Sequence, residues 1–267
     1  MNSMVDNRVV SSDGERVRRK NMKSLICGKA TQLLLILIAV VVTAGVVPAQ
    51  ATSKENQKDL REAKKTSTEA AKVFNEVMRI SDRAIPQDLL DRAEAVAIFP
   101  GVINAAFIFG GRGGVGVISR RTPTGWSAPA FFKLGGGSFG AQIGGQKIDY
   151  IMLVMNQEGL KGLLEDKFEL GGEASVAAGP VGRSASATTN PTMDAGILSY
   201  SRSKGLFAGV SIKGAVISPD NDRNQAVYGL IANQILTRNS NEVKIPADVN
   251  IVPRTLSRYS SRRGKNQ

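Results

Sequence analysis

Residues 95–121 read AVAIFPGVINAAFIFGGRGGVGVISRR. β-Branched and aromatic residues stand there in short runs, Pro100-Gly101 interrupts the first run, and Gly110-Gly111 marks a turn. That punctuation predicts strands over Ile103–Phe109 and Val115–Arg120 around a glycine hairpin. The same texture runs on to about Ser218, with turn signals at Pro123-Thr124-Gly125 and Gly144-Gly145. Further strands are expected over Ser127–Lys133, Phe139–Ile143, Ile148–Met155, Ile197–Ser201 and Phe207–Val216, with a short helix around Glu158–Glu165.

Two short glycine motifs in this region imitate catalytic ones. Gly111–Gly116 spells G-x-G-x-x-G, but a dinucleotide fingerprint needs a following helix and an acid about 20 residues on. Here Val117-Ile118-Ser119 continues as a strand, and no acid lies between Gly101 and Lys147. The glycines read instead as a hairpin that lets backbones approach closely. Gly136–Gly140 spells the G-x-S-x-G elbow, whose serine needs a base, and the chain has no histidine. The same absence removes the commonest metal ligand, and Cys27 is the one cysteine. Asp220-Asn221-Asp222 reads as a helix-capping turn rather than a calcium loop. No catalytic residue, cofactor or metal is expected.

Outward from the strands the pattern is helical. Lys54 to about Ser81 contains no Gly or Pro, and Leu60, Ala63, Ala70, Phe74 and Val77 recur at three- and four-residue spacing. Lys58, Lys65, Lys72 and Arg79 form one stripe, and Glu55, Glu62, Glu69 and Glu76 form another three residues earlier. That spacing predicts acid–base pairing along the helix and a solvated face. A second helix should open at Pro86, with Leu89, Leu90 and Ala93 buried. A closing helix should follow Ser218–Asp222, with Val227, Leu230, Ile231 and Ile235 toward the core. Helices flanking a run of strands predict an α+β fold, an antiparallel glycine-rich β-sheet or partly closed barrel between N- and C-terminal helices. An outer-membrane barrel fits poorly with helices at both ends and a basic polar C-terminus.

Before residue 52 come basic residues (Arg16, Arg18, Arg19, Lys20, Lys23, Lys29), the apolar run Leu33–Val47, and Ala49-Gln50-Ala51. This is the order of a cleavable signal peptide, with an uncleaved anchor as the alternative. The segments expected are thus 1–51 signal peptide, 52–94 N-terminal helices, 95–240 β-rich core with its closing helix, and 241–267 basic flexible tail. The location expected is exported, periplasmic or secreted. The net charge of +12 suits an anionic partner such as phospholipid headgroups or acidic glycans, and export makes nucleic acid unexpected.

Between Ala95 and Tyr150 five basic residues face one acid, Asp149, expected to be a buried partner for an unnamed cation. Arg112, Arg120, Arg121 and Lys133 are the candidate headgroup ligands, Lys58, Lys65 and Lys72 the helpers, and Trp126 the membrane-contact aromatic. The rival reading is an envelope interaction module whose tail, Arg254 to Lys265, binds an acidic protein or glycan.

The stretches Ala95–Gly101, Gly110–Arg121, Trp126–Phe132 and Gly137–Gly144, then Asp149, Ala178–Pro180 and Tyr200–Phe207, continuing to Tyr228-Gly229, resemble the SYLF family over roughly Ala71–Asn239. The resemblance implies lipid binding without catalysis, directed at phosphoinositides or other acidic phospholipids, and actin binding in some fungal members. Behind a signal peptide the expected ligand is phosphatidylglycerol or cardiolipin, and an actin-patch role has no basis.

Overall fold

The computed structural model describes residues 49–80, 84–106, 110–138, 144–172, 174–182, 195–239 and 241–260. The expected strand Phe139–Ile143 and the signal segment as far as residue 48 lie outside these. Helix α1 spans Ala49–Met78, so Ala49-Gln50-Ala51 forms its opening turn. Pro86 caps α2, Gln87–Arg92, and Leu89, Leu90 and Ala93 are buried as its spacing predicts.

The strands are β1 (Ala95–Ala106), β2 (Gly110–Thr122), β3 (Gly125–Trp126), β4 (Ala130–Ser138), β5 (Gly144–Val154), β6 (Phe168–Glu169), β7 (Val176–Ala178), β8 (Ile197–Ser203), β9 (Leu206–Gly209) and β10 (Val216–Pro219). Helix α3 (Gln157–Leu163) separates β5 from β6. After β10 come α4 (Asn221–Tyr228), α5 (Ala232–Thr237) and α6 (Ile251–Tyr259). The strands form one sheet in the order β6-β10-β4-β2-β1-β5-β8-β7, with β3 beside β2 and β9 beside β8. It curls into a half-barrel within an α+β arrangement. The sheet is mixed rather than wholly antiparallel, because β7 runs parallel to β8.

Residues from Lys54 onward form one unit with two cores, one on each face of the sheet. Strand alternation sorts the side chains. Ala97, Phe99, Phe132, Tyr150 and Met152 enter the inner core with Leu160 and Ile235, whereas Val96, Ile98, Phe131, Ile151, Leu153 and Tyr200 enter the outer core. There they meet Ala70, Phe74 and Val77 of α1, Leu90 and Leu256. Each fully enclosed aliphatic or aromatic side chain contributes about 1.5–3 kcal/mol, which explains why both faces read as nearly continuous apolar runs.

Strand β1 shifts register between Ile98 and Ile103, at Pro100-Gly101. Proline has no N–H for the ladder, and Gly101 sits at φ +58. The Gly101 N–H donates to Asp149 Oδ1 at 2.8 Å. The other carboxylate oxygen accepts from Arg202 Nε at 2.9 Å, so the unnamed partner of the lone acid is Arg202, directly opposite it on β8. Burial alone would lower the Arg202 pKa, but the carboxylates of Glu76 and Asp149 outweigh it and hold the guanidinium above its ordinary value.

Two expectations about the C-terminal part are corrected. The closing helix is two short ones, broken at Gly229 in the left-handed conformation (φ 67), which leaves Ile231 exposed while Ile235 stays buried. Residues 241–260 are not a loose tail, since Val243, Val249, Val252 and Leu256 are buried and α6 lies on the outer core. The apolar spacing of Val249, Val252 and Leu256 was there to be read, but the basic residues around it outweighed it by composition.

Candidate functional site

Successive strand residues point to opposite faces, so the basic residues expected to act together are divided by the pleat. Arg112 and Arg120 share the inner face of β2 with Ile118, whereas Arg121 lies on the outer face with Val117. Along that outer face Lys133 stands opposite Val115, six residues from Arg121, which is about 20 Å at strand rise.

Arg121 is only 5% exposed. Its guanidinium donates to Ala93 O (2.9 Å), Leu90 O (2.7 Å) and Ser260 Oγ (2.7 Å), and lies 4.1 Å from the Trp126 ring. These oxygens sit at the C-terminal ends of α2 and α6, where carbonyls lack intrahelical partners and the helix dipole favours a cation. Trp126 is 2% exposed and donates from Nε1 to Ser260 O at 3.1 Å. Arg121 and Trp126 are therefore corrected from membrane contacts to a buried clasp, because no headgroup reaches them through the helices they hold.

Lys133 is half in solvent, and its Nζ pairs with buried Asp220 Oδ1 at 2.9 Å. Asp220 also faces Arg223 at 3.5 Å, and Arg223 reaches Glu62 of α1 at 2.6 Å. Next to it, the Asn224 side-chain oxygen accepts from Phe131 N (2.8 Å) and its amide donates to Phe131 O (3.0 Å), which stitches α4 to β4. Arg120 is half-buried, and its Nη1 makes only a long bond (3.4 Å) to Leu236 O at the end of α5.

Helix α1 differs from its expected pattern in an instructive way. Glu62 and Glu76 do not pair along the helix at i,i+3. They turn down to Arg223 and Arg202 from the sheet side, and Lys64 meets Asp248 at 3.1 Å. Lys58, Lys65 and Lys72 remain exposed, and Lys72 comes only to 4.0 Å from Glu76. Arg202 and Arg223 were missed as anchor points, because nothing local to either arginine shows that a helix more than a hundred residues earlier will lie across it.

The described residues hold no group of three His, Cys, Asp or Glu able to bind a metal, and no helix among them is long and apolar enough to cross a membrane. The Tyr200 hydroxyl is buried without a partner, and burial pushes its pKa up, with the Asp88 charge adding to the shift, so it is no ready nucleophile.

Fold and side chains together define an α+β half-barrel domain braced by charged clasps. Residues 135–259 match the family model Ysc84, described as "Las17-binding protein actin regulator", so the chain carries a domain of the Ysc84 (SYLF) family. The match begins inside β4, yet the central strands β1 and β2 precede it, so the folded unit is larger than the matched segment. LAS seventeen-binding protein 3 of Saccharomyces cerevisiae is 37% identical over 178 residues, 63% of this chain and 39% of that protein. Protein YSC84 of the same yeast is 36% identical over 197 residues, 70% of this chain and 41% of that protein. SH3 domain-containing YSC84-like protein 1 of Xenopus laevis is 32% identical over 173 residues, 62% of this chain and 51% of that protein. The chain thus spans about two fifths to half the length of these relatives.

The comparisons overturn the expected exported, periplasmic or secreted location. The relatives are yeast and animal proteins, one named for LAS seventeen binding and others for an SH3 domain or as YSC84 itself, in a family described as an actin regulator, and they point to the cytoplasm. The basic-then-apolar order of residues 16–47 is a compositional signal, and such a signal does not specify its reader. With export goes the premise on which an actin-related role was set aside.

Proposed function

We propose that the chain is a non-catalytic cytoplasmic domain that associates with anionic phospholipid surfaces, phosphoinositide-containing ones among them, through the outward face of α1. The observation that supports this most is the inward turn of Glu62 and Glu76 to Arg223 and Arg202, which leaves Lys58, Lys65 and Lys72 on an exposed basic stripe. Each lysine near such a surface contributes about 1 kcal/mol. Replacing all three by Gln should weaken co-sedimentation with phosphatidylcholine vesicles containing phosphatidylinositol phosphate on the order of a hundredfold at low salt. Wild-type binding should fall at physiological salt, where a headgroup attraction is screened. Undiminished binding by the triple variant would exclude this face.

A second reading draws on the relatives' printed names and the family description: a binding module in an actin-regulating assembly, with a protein as its partner. Co-sedimentation with actin filaments in the absence of lipid separates the two, since the lipid reading predicts none.

A further inference from the structure

One arginine of the sheet has no polar partner among the described residues. Arg112 is half-buried, and no hydrogen bond or ion pair to it occurs among the described residues; its Nε is closed off from solvent with no acceptor. A buried donor left unsatisfied costs about 1–3 kcal/mol, and such a group is normally met by a partner. The neighbours along this face carry amides, each with N–H donors beside its carbonyl oxygen, and no carboxylate. Asn104 lies directly opposite Arg112 on β1, and Gln146 lies directly opposite Asn104 on β5. Residues directly opposed on adjacent strands share a face, so the three form one row. The Asn104 amide is 3.4 Å from the Tyr150 hydroxyl, and the Gln146 amide donates to Ser203 Oγ. On its other side Arg112 faces Gly136, and Gly114 is next on the same face of β2; the Gly214 carbonyl lies 3.0 Å from where a Cβ at Gly136 would stand, and Val102 fills the space over Gly114, so neither glycine offers Arg112 a carboxylate. The nearest strand acid, Asp149, points to the opposite face and is held by Arg202 and Gly101.

We propose that the row Arg112–Asn104–Gln146 binds a phosphate group, borne either by a lipid headgroup or by a soluble phosphoester. The guanidinium fork matches two oxygens of an oxyanion. A carboxylate would be used up by that fork, whereas the remaining oxygens of a tetrahedral phosphate reach toward the two amides. This site lies on β1, β2 and β5 and does not depend on the lysines of α1.

The test uses the full chain and two substitutions. Arg112→Lys keeps the charge and loses the fork. Asn104→Asp places a carboxylate directly opposite Arg112, so the partner comes from within. Inorganic phosphate should raise the wild-type unfolding midpoint above that in potassium chloride of matched ionic strength. The apparent affinity should fall about tenfold or more in Arg112→Lys. Asn104→Asp should unfold at or above the wild-type midpoint and no longer respond. In a second arm the same proteins are exposed to phosphatidylinositol phosphate vesicles. Protection that depends on Arg112 with vesicles alone assigns a lipid headgroup, and with free phosphate assigns a soluble phosphoester. Phosphate is also a general stabiliser through exclusion from protein surfaces. Equal protection of wild type and both variants, or none, would therefore overturn the site.

Discussion

The two ends of β2 carry arginines nine residues apart with opposite fates. At one end Arg121 is enclosed by the C-terminal carbonyls of α2 and the Ser260 hydroxyl after α6, with the Trp126 ring beneath it. At the other, Arg112 stands opposite Gly136 with no hydrogen-bond or ion-pair partner among the described residues. The difference teaches that a strand cation is structural or available according to what the chain lays over it. Helix ends bring orphan carbonyls that need a donor; the glycines beside Arg112 bring no side-chain acceptor.

The largest effect should come from breaking the closed end. Arg121→Ala leaves Ala93 O and the Ser260 hydroxyl enclosed without their donor and should cost about 3–5 kcal/mol, read as a lower urea midpoint. Substitution of the glycines between the two ends sharpens the contrast. A Cβ at Gly116 would lie 2.3 Å from Ile98 O and 2.5 Å from the Phe99 ring, while one at Gly113 would meet nothing within 4 Å. Gly116→Ala should therefore cost about 1–3 kcal/mol or more, and Gly113→Ala should change stability by less than about 0.5 kcal/mol. The smallest effect belongs to the open end. Arg112→Gln should leave the midpoint within about 0.5 kcal/mol in chloride buffer, because no hydrogen bond or ion pair to a described residue is lost. A large loss there would show that the two ends are alike after all.

The Gly114 and Gly116 positions also show how far the fold was legible. The motif at Gly111–Gly116 was readable as close backbone approach, since a strand and not a helix follows it, and β1 does press on Gly114 through Val102 and on Gly116 through Ile98 and Phe99. Strand bounds were less legible. Turn residues marked the breaks, but β1 begins at Ala95 and runs through Pro100 on a bulge that Asp149 sustains from 48 residues away. The headgroup set was the least legible part. Closeness in sequence grouped Arg120, Arg121 and Trp126, but the pleat separates the first two and the helices enclose the last two.

The sequence by itself determined the α+β class, the order of helices and strands, the places where glycine is needed, the want of a histidine-based site, and the likeness to the SYLF family. These follow from local periodicity, residue chemistry and ordered motifs, all carried within short windows. Only the tertiary structure decided which charges are spent and which are free: Glu62 on Arg223 and Glu76 on Arg202, Lys133 on Asp220, Arg121 on two helix ends, and Arg112 on no polar group among the described residues. Those pairings join residues separated by up to 161 positions, and the strength of a charge in a folded chain depends on what stands within a few ångströms of it, a quantity that no window of sequence contains.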